Sequence, residues 1–214
     1  MISGYVLKHI LGWKLKNEFP DIKKGIVIFA PHTSYMDALY GKLYFMEISI
    51  KHVFLSKKEL FFFPMNIAMK LFGSIPIRNV KNNNAIYLVT EMLNNANELL
   101  IVISPEGTRA KVTRWNTGFY YIAIKANVPI VVAYLDYNNK EIGIKGVIDN
   151  LHNKHEVMKQ IKEMYAGVSA KHPDKFSLEN YDDNTLSDKI KGHEHFDYTE
   201  TYLTHSNNQR GNRE

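Results

Sequence analysis

The sequence predicts an α/β fold in which helices flank a mixed central sheet. Short aliphatic runs, typical of buried strands, alternate along the chain with longer segments whose apolar residues recur at helical spacing. Such alternation is typical of a layered α/β domain. The 214 residues are 45% hydrophobic, which is enough for one substantial core.

In the first half of the chain, apolar spacing and turn residues set the element boundaries. Strands are predicted at 25–30, 53–55 and 73–78, and helices at 2–13 and from Ser34 onward. Pro31 ends the first strand because proline has no N–H for a ladder.

The apolar segment 59–72 is interrupted by Pro64. Its three consecutive phenylalanines, 61–63, cannot all face one core from a regular helix, so we expect at least one to be exposed and to meet a membrane or an acyl chain. Packing beneath a broken helix is the alternative.

The second half continues the alternation. Helices are predicted at 86–96, 118–126 and 157–164, and strands at 99–103, 128–134 and 141–147, the last as an edge strand. From about residue 171 the composition becomes polar, and histidines 193, 195 and 205 lie among acidic and amide residues. We therefore predict one domain over 1–170 and a polar C-terminal extension over 171–214.

Composition narrows the possible functions. The absence of cysteine excludes disulfides, thiolate zinc sites and a cysteine nucleophile. A formal charge of +5 suits an anionic membrane surface or phosphorylated ligands. The basic residues are dispersed without an aromatic ladder, so nucleic acid is not an expected partner. No run approaches 18 apolar residues and the start lacks signal-peptide features, so we expect the protein to lie on a membrane rather than span it.

The first chemical motif, His32-Thr-Ser-Tyr-Met-Asp37, follows a predicted buried strand. A histidine is suited to remove a proton from a hydroxyl group, and a carboxylate can orient its ring. On one continuous helix, a separation of five positions places two side chains about 140° apart. The pair can therefore meet only if His32 lies in the turn and Asp37 in the first helical turn. The alternative is structural: Ser34 and Asp37 also match a helix capping box.

The second motif, Pro105-Glu-Gly-Thr-Arg109, follows another buried strand. Ligands of open α/β sheets collect at the carboxyl ends of the strands, where His32 and Glu106 are both expected. Gly107 permits a positive φ or a close backbone approach. Arg109 can grip a phosphate through its planar fork, although a surface turn with an internal Glu–Arg salt bridge is the alternative. Arg78, at the end of a third strand, is a candidate for a second phosphate contact.

The ordered blocks of this chain resemble those of the glycerolipid acyltransferases, the PlsC-like lysophosphatidate and related lysophospholipid acyltransferases. The blocks are His-x4-Asp, Gly73-x-Ile-x-Ile-Arg78, Pro-Glu-Gly-Thr-Arg109 and Val128-Pro-Ile130. The resemblance covers roughly residues 25–135, and the stretch from Trp115 to Pro129 resembles short bacterial members rather than the best-known ones. It departs from the usual pattern at Pro31, where asparagine is frequent, and at Ser104, where phenylalanine is frequent.

The resemblance implies a glycerol-3-phosphate acyltransferase-like architecture and the transfer of an acyl group from acyl-CoA or acyl-carrier protein to a lysophospholipid hydroxyl, most often that of 1-acylglycerol-3-phosphate. It implies that His32 is the catalytic base and Asp37 its partner. It also implies that Arg78, Glu106, Gly107, Thr108 and Arg109 shape the acceptor site, with no metal and no cofactor beyond the thioester co-substrate.

The same resemblance implies a peripheral enzyme on the cytoplasmic face of the membrane, whose partners are the acyl donor, the lysophospholipid and the membrane surface. Two alternatives stay open. The first alternative is an acyltransferase for a non-phosphate acceptor such as an amino-lipid. The second is a non-catalytic lipid-binding module. The paired His32 and Asp37 argue against the module, because binding alone needs no base of defined tautomer.

Overall fold

The computed structural model describes residues 2–16, 18–49, 51–77 and 83–178. Arg78 and the histidines 193, 195 and 205 lie outside the described residues. The helices are α1 (Ile2–Tyr5), α2 (Tyr35–Glu47), α3 (Met65–Leu71), α4 (Asn83–Asn94), α5 (Gly118–Ala126) and α6 (Lys154–Tyr165). The strands are β1 (Lys14–Lys16), β2 (Lys24–Ala30), β3 (His52–Lys57), β4 (Ser74–Ile77), β5 (Leu99–Ile103), β6 (Ile130–Asp136) and β7 (Glu141–Ile148). A π-helical turn, Val6–Ile10, follows α1, and 3₁₀ turns occur at Lys58–Leu60 and Pro173–Lys175.

Within the described residues, seven strands form one mixed sheet in the order β1-β7-β6-β2-β5-β3-β4. All neighbours pair in parallel except β6 and β7, which are antiparallel. The predicted α/β class with a mixed sheet and flanking helices is therefore confirmed. In a parallel sheet the strands end at the same edge, so the turns that follow β2, β5 and β6 are neighbours.

The prediction of an edge strand at 141–147 is wrong. β7 pairs on its other side with β1, where Lys14 to Lys16 align with Glu141 to Gly143. Adding a side chain at Gly143 would bring its Cβ to 1.9 Å from the Lys16 carbonyl oxygen, so the two backbones are in close contact. A three-residue strand is too short to show the alternation that identifies strands in a sequence.

The alternating side chains of the central strands form two cores. One face of β2, including Ile26 and Ile28, packs with residues of α4, α5 and α6. The other face, including Val27 and Phe29, packs with α2 and the N-terminal segment. Strands covered on both faces are expected to be almost entirely apolar, as β2 and β6 are apart from Lys24 at the start of β2 and Asp136 at the end of β6. These packed central strands form a rigid base for the turns at their carboxyl ends.

No helix among the described residues is long and apolar enough to cross a bilayer. The prediction that at least one of the phenylalanines 61–63 is exposed is confirmed, because Phe62 and Phe63 are both exposed. The segment breaks at Pro64, and α3 follows with no buried residue.

Candidate active site

The turn between β2 and α2 carries the first motif. Ser34 is the N-cap of α2, with an extended backbone (φ −141°) and a side-chain oxygen that accepts the Met36 N–H at 3.2 Å. The Ser34 N–H in turn donates to Oδ2 of Asp37 at 2.7 Å. The capping box that the sequence offered as an alternative is confirmed. His32 therefore lies in the turn and Asp37 in the first turn of the helix, the arrangement in which the two can approach.

Asp37 is fully buried and held by more than the cap. Its Oδ2 also accepts the Thr33 N–H at 2.6 Å, and its Oδ1 accepts the hydroxyl of Tyr137 at 2.5 Å. A buried carboxylate needs such donors to offset the loss of hydration. Two of these donors belong to the two residues that follow His32, and the third belongs to the residue that follows β6. Asp37 therefore connects the His32 turn to the neighbouring strand.

Glu106 anchors the same turn from the other side. Its side chain is 2% exposed, and its Oε1 accepts the backbone N–H of His32 at 2.7 Å. The register of β2 and β5, which pairs Ile28 with Ile103, brings the two turns together. Burial raises the pKa of Glu106 to about 8, and the nearby Asp37 charge adds to the rise, although the hydrogen bond from His32 opposes it. Near neutral pH the Glu106 carboxyl is therefore mainly protonated.

The turn that carries Glu106 depends on glycine. Gly107 has a φ of +65°, and its N–H donates to the Ser104 carbonyl at 3.1 Å. A Cβ at this position would lie 2.5 Å from Nδ2 of Asn116. Asn116 holds the turn through its backbone N–H, which donates to the Pro105 carbonyl at 2.7 Å, and through its amide, which donates to the same carbonyl at 3.4 Å. Glycine is needed here for both conformation and space.

The remaining residues of the second motif lie on the partly exposed side of this turn. Thr108 Oγ1 accepts the Ala110 N–H at 3.3 Å. The guanidinium carbon of Arg109 lies 3.7 Å from the ring centroid of Tyr35, the first residue of α2. This cation–π contact joins the two motifs. Within the described residues no Glu–Arg salt bridge forms in this turn, because the Glu106 carboxyl points into the core and bonds His32.

The electrostatics of His32 favour a neutral imidazole. Burial lowers the pKa of His32, the Asp37 carboxylate raises it, and the Arg109 guanidinium lowers it, with a net decrease. Within the described chain, the hydrogen bonds of Asp37 come from Thr33, Ser34 and Tyr137, so Asp37 acts on the His32 ring through its charge. A neutral imidazole is the form that can accept a proton.

The structure thus brings His32, Asp37, Glu106, Gly107, Thr108 and Arg109 to one edge of the sheet, and Arg78 lies outside the described residues. Two supporting residues, Tyr137 and Asn116, were not found from the sequence. Tyr137 had a weak signal, since it is the first residue after a buried strand parallel to β2. No sequence pattern indicated Asn116, because its hydrogen bonds to the Pro105 carbonyl form only when the chain folds back to the turn after β5.

Residues beyond 168 also reach this edge. The Tyr137 N–H donates to the Ser169 carbonyl at 2.9 Å, and the His172 N–H donates to Thr33 Oγ1 at 3.3 Å. The Phe176 ring lies 6.2 Å from that of Trp115. The first residues of the predicted C-terminal extension therefore contact the motif turn. The division into domains at residue 170 stays a prediction.

Comparison with known proteins gives two matches. A family model described as Acyltransferase matches residues 13–135. Among solved structures, the crystal structure of the 1-acyl-sn-glycerophosphate (LPA) acyltransferase PlsC from Thermotoga maritima is similar, with 20% identity and a TM-score of 0.52. The match covers 75% of this chain and 77% of that one. No curated protein sequence matches the chain. At this identity the structural match shows a shared fold.

Proposed function

Because this chain belongs to the acyltransferase family, we propose that it transfers a fatty acyl group from acyl-CoA or acyl-carrier protein to the hydroxyl of a lysophospholipid, 1-acylglycerol-3-phosphate above all. The observation that carries the proposal is the His32 turn. Two buried carboxyl groups, Asp37 and Glu106, hold this turn beside Arg109 at the carboxyl ends of parallel strands.

In the proposed reaction, His32 is the general base. The acceptor hydroxyl attacks the thioester carbonyl while the imidazole takes its proton. The C–S bond then breaks, and the leaving thiolate takes that proton from the imidazolium, which returns His32 to its neutral form. The lowered pKa of His32 keeps the ring unprotonated near neutral pH, and the Asp37 charge stabilises the imidazolium as it forms. The thioester is itself an activated acyl group, so the proposal includes no metal and no resident cofactor.

Glu106 has a positioning role in this proposal. Its Oε1 accepts the His32 backbone N–H, and its side chain is buried away from solvent. When Glu106 is protonated, it adds no second negative charge beside Asp37. Such a second charge would hold a proton on His32 more tightly. The acceptor contacts are assigned instead to the partly exposed residues of this turn.

Arg109 is the proposed partner of the acceptor phosphate. Its guanidinium lies over the Tyr35 ring, and the N–H groups at the edge of a guanidinium are the groups that bind a phosphate. Gly107 and Thr108 shape the same turn, and Arg78 is proposed as a second phosphate contact on the resemblance alone. A phosphate held in this way would keep the acceptor hydroxyl near His32 and accelerate transfer by proximity.

Acyl transfer by the purified protein tests the proposal. Radiolabelled acyl-CoA and acyl-carrier protein are each offered with lysophosphatidate, other lysophospholipids and a phosphate-free amino-lipid. We expect transfer to lysophosphatidate, and a loss of about 10²–10⁴-fold in His32→Ala. His155→Ala, which alters an exposed histidine on α6, is the matched control and should keep wild-type activity.

The acceptor panel separates the alternatives. Arg109→Ala should raise the KM for phosphate-bearing acceptors and leave that for an amino-lipid unchanged. Transfer only to the amino-lipid would support the non-phosphate alternative. Lipid binding without transfer from either donor would support the lipid-binding module and refute the enzyme.

We also propose that the protein binds the cytoplasmic face of a membrane peripherally, through the α3 patch. This patch comprises the exposed side chains of Phe62, Phe63, Met65, Ile67 and Leu71, of which Phe63 is 79% and Leu71 81% exposed. Three exposed lysines are near it in sequence: Lys57 and Lys58 precede it, and Lys70 lies within α3. Exposed apolar side chains close in sequence to exposed lysines suit a bilayer that contains anionic lipids.

Vesicle flotation tests the α3 patch. We expect binding to vesicles containing phosphatidylglycerol, weaker binding to pure phosphatidylcholine, and a clear loss in Phe62→Ser/Phe63→Ser. Tyr87→Ser/Leu88→Ser removes exposed apolar side chains of α4 and is the matched control, with no expected change. Equal binding of the two double variants would contradict the assignment of the patch.

A further inference from the structure

The hydroxyl of Tyr137 is the donor to Oδ1 of Asp37, at 2.5 Å, and it comes from the end of β6, 100 residues away along the chain. The other oxygen, Oδ2, already accepts two backbone N–H groups of the His32 turn. The Tyr137 contact therefore occupies the carboxylate oxygen that these N–H groups leave available.

The position of the Tyr137 hydroxyl is fixed by its surroundings. The ring lies 5.2 Å from Trp13 in an edge-to-face arrangement and 6.2 Å from Tyr40. The Tyr137 N–H donates to the Ser169 carbonyl, which holds the backbone. Trp13 is itself buried in the core beneath α2. A ring packed in this way delivers its hydroxyl to one place, so the bond to Asp37 is built into the fold.

We infer that Tyr137 is a positioning residue of the reaction, which holds the Asp37 carboxylate and sets how strongly its charge acts on His32. The inference rests on the proposed function for its catalytic consequence, although the contact itself does not. A hydrogen bond to a carboxylate disperses its negative charge. Without the Tyr137 hydroxyl, Asp37 would attract a proton on His32 more strongly, or rotate to bond the ring directly, and both changes favour the imidazolium.

The direction of the effect follows from the groups that face this turn. Asp37 raises the pKa of His32, whereas burial and Arg109 lower it. Burial and the bond to Asp37 raise the pKa of Tyr137, so its hydroxyl keeps its proton and remains a donor throughout the working range. Glu106 lies near Asp37 and holds the backbone of His32. Tyr40 lies near Tyr137 and adds to the rise in the pKa of that hydroxyl.

The test is Tyr137→Phe, which removes the hydroxyl and keeps the ring. NMR titration of the His32 imidazole should show its pKa raised by about half a unit or more, because the Asp37 charge that the Tyr137 hydroxyl now disperses would act on the ring. Tyr40→Phe is the matched control in the same aromatic cluster, and its His32 titration should match that of the wild type.

The kinetic readout is the pH profile of kcat/KM. The acidic limb should move to higher pH in Tyr137→Phe, with a smaller deficit at pH 9 than at pH 6.5. Titration curves for His32 that coincide in wild type and Tyr137→Phe would overturn the inference, whatever the activity. The titration needs no substrate, so it tests the effect of Tyr137 on His32 independently of activity. A failure to find acyl transfer would refute the proposed function and would not change the outcome of the titration.

Discussion

The Glu106→Gln variant replaces a buried carboxyl group by a neutral amide of nearly the same shape. The Gln oxygen can still accept the His32 N–H, so the turn is expected to keep its conformation. In wild type, Glu106 is 2% exposed and burial raises its pKa from 4.5 to about 8. The unfolded chain thus releases this proton near pH 4.5, whereas the folded protein retains it to about pH 8.

The sign and size of the effect follow from this difference. Between pH 4.5 and 8 the folded state binds more protons than the unfolded state, so the contribution of Glu106 to stability falls as the pH rises. At about 1.4 kcal/mol per pH unit, the total over this window is on the order of 5 kcal/mol. Glu106→Gln has no proton to release. Its free energy of unfolding, relative to that of wild type, should therefore rise by roughly 1.4 kcal/mol per unit between pH 5 and 8.

The assay is urea unfolding followed by circular dichroism at several pH values from 5 to 9 for both proteins. His32 and the other titrating groups are present in both, so their contributions largely cancel in the difference. Glu98→Gln is the matched control, because the Glu98 side chain is 56% exposed and lies 3.7 Å from the Lys23 ammonium. Its difference from wild type should stay nearly constant. A constant difference for Glu106→Gln as well would refute the assignment of a raised pKa to this carboxyl.

Three further substitutions test the packing around the site by unfolding free energies. Asp37→Asn should cost about 2–4 kcal/mol, because one oxygen becomes an amide that cannot accept the donors now facing it, and a cost below about 0.5 kcal/mol would contradict the contacts described. Gly107→Ala should cost more than Gly167→Ala: both glycines have a positive φ, worth about 1–2 kcal/mol, but only Gly107 would place its Cβ against Asn116. Equal costs would show that Asn116 moves aside freely. Tyr165→Phe should cost about 1–3 kcal/mol, because its buried hydroxyl donates to backbone carbonyls of β2 and β6, and a neutral result would mean that water or another donor replaces it.

Much of the architecture was predictable because it depends on local pattern. The apolar runs of β2, β5 and β6 identified the central strands, and helical spacing located α4, α5 and α6. The family was also predictable, since ordered motifs are visible without coordinates, and the family model confirms it. The capping box at Ser34 and Asp37 is equally local, because its partners are three residues apart.

What the chain could not reveal by itself depends on contacts between distant segments. β1 is too short to show a period, and it became visible only by pairing with β7. The meeting of His32 with Glu106 depends on the register of β2 and β5, and Tyr137 reaches Asp37 only because β6 lies beside β2. The sequence by itself determined which chemical groups are available and which strands carry them. Only the tertiary structure decided that Glu106 is a buried support of the His32 turn and that Tyr137 holds Asp37, because burial and hydrogen bonding between distant residues are properties of the folded chain.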